Sequence, residues 1–155
     1  MSKKKTSDNI IVINKKAGFE YFLEEDFEAG VVLEGWEVKS IRDGKAQIAE
    51  SYVLLKKGEA FLIGSIIQPL LSASTHVKAI PDRTRKLLLH KKEIDNLIGH
   101  IERKGYTVIP LKMYWKKNLI KLEVAVAKGK KSHDKRAAER DHNWAREKER
   151  LLKRN

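Results

Sequence analysis

The side chains able to do acid–base or metal chemistry in this sequence are five histidines, His76, His90, His100, His133 and His142, and 21 acidic residues. No two histidines stand four apart with a carboxylate in support, so the paired-ligand pattern of a zinc-binding helix is absent. His133 beside Asp134, with His142 nine positions on, invites a metal or acid–base reading. The segment around them has too few apolar residues to hold such groups in reach of one another, and catalysis needs that fixed geometry. There is no cysteine, which excludes disulfides, thiolate-bound zinc and thiol nucleophiles. The expectation is a protein without catalytic residues, metal or cofactor.

What remains is the chemistry of cations beside aromatic rings. Lys and Arg number 33 against 21 Asp and Glu, a net charge of +12, and a protein that neutralises phosphates carries such an excess because each contact releases counterions. Nucleic acid is the favoured partner; charge kept for solubility and attraction to an anionic membrane are the alternatives. Arg83-Thr-Arg85-Lys86, after Pro81-Asp82 and before Leu87-Leu-Leu89, reads as a basic loop able to hold a phosphate backbone. Gly35-Trp-Glu-Val-Lys-Ser-Ile-Arg42 sets Trp36 near Lys39 and Arg42, although Trp36 reads slightly better as half-buried core. Tyr114-Trp-Lys-Lys117 pairs aromatics with cations as stacking platforms for unpaired bases do. The acidic run Glu24, Glu25, Asp26, Glu28 is most simply a solvated sheet face; a carboxylate there could also accept hydrogen bonds from a guanine edge or repel the wrong RNA shape.

These side chains need elements to position them. At 155 residues the chain suits one core plus appendages. Residues 1–8 read as a flexible basic N-terminus carrying Lys3, Lys4 and Lys5, with no apolar leader, and no window reaches the roughly 20 apolar residues of a membrane span. A soluble, cytoplasmic, monomeric protein without membrane contact is expected. Residues 9–127 hold the body. Ile10–Ile13 reads as a buried strand, and Phe19–Gly35 as strand-rich, with Gly30 placed to bend or bulge it. Tyr52–Leu55 and Ala60–Ile63 form a hairpin over Lys56–Glu59; Thr107–Trp115 and Leu119–Ala127 form a second over Lys116–Asn118. Between the hairpins, Ile94, Leu97, Ile98 and Ile101 fall on one helical stripe, stopped by Gly105. This pattern predicts a mainly β protein with helices, a small antiparallel barrel sealed by a helix.

Residues 128–155 differ in kind. Half the net charge sits there, 11 basic against 5 acidic residues, and only Trp144, Leu151 and Leu152 are large and apolar. Helix propensity is high, but no stripe is wide enough to bury, and an isolated helix of this length is marginal in water. The tail is predicted to be disordered when free and to fold on a partner.

The residues at this point resemble a known family, the SsrA-binding proteins (SmpB) of bacterial trans-translation. The likeness covers essentially the whole chain and rests on Asn14-Lys-Lys-Ala17, Glu28-Ala-Gly30, Gly35–Arg42, Ser51-Tyr-Val-Leu-Leu55, Ser74-Thr-His76, Arg83–Leu89, Gly105-Tyr-Thr107 and Ala127–Arg136. It implies an oligonucleotide-binding (OB) type closed β-barrel with flanking helices, and binding of the tRNA-like domain of transfer-messenger RNA (SsrA RNA) for delivery to stalled ribosomes. Elongation factor Tu and alanyl-tRNA synthetase are implied as indirect partners through that RNA. The resemblance associates Asn14, Glu28 and Leu88 with the RNA, and Lys15, Lys39, Arg42, Arg83, Arg85 and Lys86 fall in the matching blocks. In the tail it implies that Gly129, Asp134, Lys135 and Arg136 act on the ribosome, that Lys128, Lys130 and Lys131 meet small-subunit ribosomal RNA, and that His133 lies near the decoding centre. Trp144, Leu151 and Leu152 would be apolar contacts of a helix in the empty mRNA channel. A general OB-type RNA chaperone or ribosome-associated factor is the competing expectation.

Overall fold

The computed structural model describes residues 9–71, 78–131, 135–137, 140, 143–146 and 150. The β-branched run Ile10–Ile13 forms β1, and after a single turn of helix, α1 (Ala17–Glu20), the chain enters the long strand β2 (Tyr21–Val31). Helix α2 (Gly35–Arg42) follows, then the short β3 (Ala46–Gln47), the hairpin β4 (Tyr52–Lys56) and β5 (Glu59–Ile63), the short β6 (Ile66–Ile67), β7 (Arg85–Leu88), helix α3 (Lys91–Ile101) and the hairpin β8 (Tyr106–Lys116) and β9 (Leu119–Gly129). Both hairpins close on two residues of positive φ, Lys57 and Gly58 in the first and Lys117 and Asn118 in the second. Turns of that hand match the twist of the flanking strands and so fix the register.

Seven strands join in one antiparallel sheet in the order β1-β8-β9-β2-β7-β5-β4. β4 packs against β8 although the two lie towards opposite ends of that order, so the sheet curls around its own inner face. Leu62, Leu87, Met113, Leu122, Val124 and Val126 fill the interior. Helix α3 packs on β8 and β9, with Leu97 in the core and Ile101 partly buried against it; fully burying a side chain such as Leu97 contributes about 1.5–3 kcal/mol. The expected closed barrel is corrected here. β1 and β4 are not hydrogen-bonded to each other, because β3 and β6 pair with one another as a separate ribbon, with β3 against β1, instead of continuing the ladder.

Other expectations shift as well. Gly30 does not carry the bulge; the register of β2 slips between Leu23 and Asp26 instead. Gly30 serves a close approach, since a Cβ there would stand 3.3 Å from the Cβ of Leu88 on β7. Helix α2 is opened by a capping box built on Glu34 and Glu37, whose carboxylate accepts the Glu34 N–H at 2.8 Å; Glu in place of the usual Ser or Thr hides the signal. Strand β9 runs to Gly129 and pairs Lys128 with Phe22 and Gly129 with Tyr21, two residues past the body's expected end. The described tail residues 135–137, 140, 143–146 and 150 are helical; helix propensity and the Lys135 N–H bond to the Lys131 carbonyl at 3.1 Å support the turn locally. The N-terminal residues 1–8 lie outside the described residues. Among the described residues, no helix is long and apolar enough to cross a membrane.

Candidate nucleic-acid interface

Strand alternation turns one set of side chains outward, and the registers align them in rows. Lys112 on β8, Glu123 on β9 and Glu28 on β2 form one row. The next runs Tyr114, Lys121, Gly30, Leu88 across β8, β9, β2 and β7. Because Gly30 has no side chain, Leu88 stands over it and remains 55% exposed. Glu28 lies where two hollows meet. One, of about 520 Å³, is lined by Glu28, Lys112, Tyr114, Lys116, Lys117 and Glu123; the other, of about 340 Å³, by Glu28, Gly30, Leu88, His90, Glu93 and Lys121.

Glu28 is exposed but held. The Tyr114 hydroxyl donates to its Oε2, and Lys116 Nζ donates to Oε1 at 3.1 Å and to Oε2 at 3.3 Å. Burial opposes its ionisation, but the hydrogen bonds from Tyr114 and Lys116 and the charges of Lys116 and Lys121 outweigh it, so the carboxyl lies below its ordinary range. The Tyr114 hydroxyl is pushed up by burial and by the carboxylate it serves. Glu123, directly across from Glu28, behaves oppositely. Burial, then the neighbouring Asp26, pushes it up to about 7, against the pull of Lys112. Depressed and elevated carboxyls thus stand side by side on a face whose lysines are Lys112, Lys116 and Lys121.

The residues singled out in the sequence do not all reach this face. Lys86 and Leu88 do, both exposed on β7, with Lys86 bound to Glu59 at 2.9 Å. Lys15, Lys39 and Arg42 are exposed elsewhere, Arg42 lying over the Trp115 ring at 5.7 Å. Asn14 is buried, donates from Nδ2 to the Pro110 carbonyl at 2.9 Å, and leaves Oδ1 without a hydrogen-bond partner. Arg85 is a correction. The expected basic loop is in part the central strand β7, whose alternation sends Arg85 into the core, where Nε binds Glu37 at 2.9 Å and Nη1 binds Ser65. None of its donors is left for a phosphate. Arg83 likewise turns to Glu37, through Nη2 at 2.6 Å and Nε at 3.0 Å. Trp36 is buried with Nε1 on Glu34, and Glu24 and Glu25 tie β2 to Tyr106 and His100.

At the root of the tail, Lys128 lies over Tyr106 at 5.8 Å, Gly129 is in the ladder, and Lys130 caps the Gly18 carbonyl at 2.9 Å with its Nζ 5.0 Å from the Phe22 ring centre. Lys131, Lys135, Arg136 and Trp144 are exposed. His133, Asp134, Leu151 and Leu152 lie outside the described residues, as does Ser74-Thr-His76. Among the described residues, no group of three or more His, Asp or Glu is arranged to hold a metal. The sequence missed Lys121, Lys112 and the part played by Tyr114. The alternation of β9 marks Lys121 and Glu123 as sharing a face, but which strand lies beside them is set by pairing with a segment some ninety residues earlier.

A mainly β body that presents lysines and aromatic rings around a fixed carboxylate has the features of a nucleic-acid-binding surface. Residues 11–154 match the model of the SmpB protein family, and the chain belongs to that family. It is similar to the SsrA-binding protein of Alkalilimnicola ehrlichii, 56% identical over 97% of this chain and 94% of that one, and to the SsrA-binding protein of Stenotrophomonas maltophilia strain R551-3, 57% identical over 99% and 92%. Among solved structures it resembles a chain described under "tmRNA-SmpB: a journey to the center of the bacterial ribosome", with 39% identity, a TM-score of 0.65, and coverage of 78% of this chain and 85% of that one.

Proposed function

We propose that this protein is a cytoplasmic, non-enzymatic adaptor that binds the tRNA-like domain of transfer-messenger RNA and delivers it to stalled ribosomes for trans-translation. The observation that carries this reading is the outer sheet face, where Glu28 is ionised and oriented between exposed Leu88 and Lys121, in a chain whose relatives are named for SsrA binding. An RNA-contacting face uses lysines for phosphates and a carboxylate or apolar side chain for shape and unpaired bases. The curled sheet is read as an OB-type barrel whose last ladder is unformed. Elongation factor Tu and alanyl-tRNA synthetase act on the same RNA and meet this protein through it.

The tail carries the second half of the proposal. Lys128, Gly129, Lys130, Lys131, His133, Asp134, Lys135 and Arg136 meet small-subunit ribosomal RNA at the decoding centre, and the segment beyond them, with Trp144, Leu151 and Leu152, occupies the mRNA channel only when no message fills it. Selection of stalled ribosomes then follows from exclusion. The test compares the full chain with one ending at Lys131. Affinity for the tRNA-like domain should stay within about twofold, since the sheet face is untouched, whereas tagging of peptides on stalled ribosomes should be lost. Equal loss of both would overturn the division of labour. Bulk tRNA competing as well as transfer-messenger RNA at physiological salt would favour a general RNA chaperone, because purely electrostatic binding discriminates little.

A further inference from the structure

We infer that Tyr114 is a positioning residue for RNA recognition, fixing the Glu28 carboxylate so that its remaining acceptor site faces an RNA donor. The inference rests on the reading of Glu28 as an RNA contact and adds to it the residue through which that contact is set. Tyr114 stands on β8, two strands away from Glu28 on β2, and reaches across β9 to donate to Oε2. Its ring is partly buried, with Ile10 of β1 as its cross-strand partner and Lys112 Nζ 5.8 Å from its centre. The hydroxyl is therefore presented from a restrained platform. Lys116 also binds Glu28, but its side chain is 52% exposed at the mouth of the hairpin, and a solvated ammonium on four methylenes constrains direction poorly.

A carboxylate offers about four acceptor sites. Tyr114 takes one on Oε2 and Lys116 takes one on each oxygen, so one acceptor site remains, on Oε1, for a single RNA donor such as a guanine amino group or a ribose hydroxyl. Both hollows beside Glu28 open onto it. Without the Tyr114 hydroxyl the carboxylate would be free to follow Lys116, and its ordering would have to be supplied when RNA binds.

The test is a double-substitution cycle, Tyr114→Phe against Glu28→Ala, with binding of the tRNA-like fragment of transfer-messenger RNA as the readout and thermal melts of each protein alongside. Tyr114→Phe alone should weaken binding by about tenfold, the low end of the scale for one hydrogen bond to a charged group. Added to Glu28→Ala, it should cause no further loss, because there is no carboxylate left to hold. The same loss with and without Glu28 would mean that Tyr114 acts on the RNA or on the fold by itself and would overturn the inference, as would unchanged binding by Tyr114→Phe. If Glu28→Ala leaves affinity unchanged, the reading of Glu28 as an RNA contact fails and this inference fails with it. If Glu28→Ala weakens binding while Tyr114→Phe does not, only the positioning role is lost.

Discussion

Glu28 and Glu123 are the same side chain on neighbouring strands in direct register, and their surroundings drive them apart. Two donors and two lysine charges keep Glu28 ionised, while burial and the charge of Asp26 lift Glu123 to about 7. A carboxyl raised above its ordinary 4.5 adds stability that is fully present below that value and lost as pH rises through about 7, because the folded state binds the proton more tightly than the unfolded chain. The unaltered protein should therefore lose about 1–2 kcal/mol between pH 5 and pH 8 from this group, after allowance for partial solvent screening. Glu123→Gln should remove that slope in urea titrations run across the range; an unaltered slope would place the titrating group elsewhere. Of this cluster the sequence singled out Glu28, Asp26, Tyr114 and Lys116 within local motifs, but not Glu123 and Lys121, which are their neighbours by pairing alone.

At the scale of elements, the most consequential contact is the clasp between α2 and β7. Glu37 is fully buried, and although burial disfavours its charge, hydrogen bonds from Arg83, the Glu34 amide and Arg85 hold it ionised. Removing one member of such a network leaves an uncompensated charge in the core. Glu37→Gln should destabilise the protein by about 3–5 kcal/mol, read as a lower urea midpoint with unchanged slope, and a loss under about 1 kcal/mol would mean that water reaches Arg85. The two hairpins and α3 were legible because turn chemistry and apolar period are local. Helix α2 and β7 were not, since a glutamate cap and an inward arginine are explained only by each other.

For the molecule as a whole, we propose Lys131 as the boundary between body and tail, because the ladder runs past Ala127. Beyond Ala127, Lys128 and Gly129 still pair with Phe22 and Tyr21, and the Lys130 amide binds the Glu20 carbonyl at 2.9 Å. A chain ending at Lys131 should melt within about a degree of the full protein, while one ending at Ala127 should melt several degrees lower, as each backbone hydrogen bond lost contributes about 1 kcal/mol. Equal melting temperatures for the two would mean that the last ladder residues fray in solution.

By itself the sequence determined the cationic excess and its concentration at one end, the absence of cysteine, the hairpins, the amphipathic helix and the family likeness, all properties of residue type or short-range period. Only the tertiary structure decided that Arg85 is core and Leu88 is surface, that the sheet stays open, and that Tyr114, Lys121 and Glu123 surround Glu28. The reason is geometric: strand alternation assigns a side chain to one of two faces, but which face meets solvent, and which distant strand lies alongside, is fixed by packing of the entire sheet. The carboxylate that began as one member of an acidic run is thereby an ionised, hydrogen-bonded acceptor at the junction of two hollows.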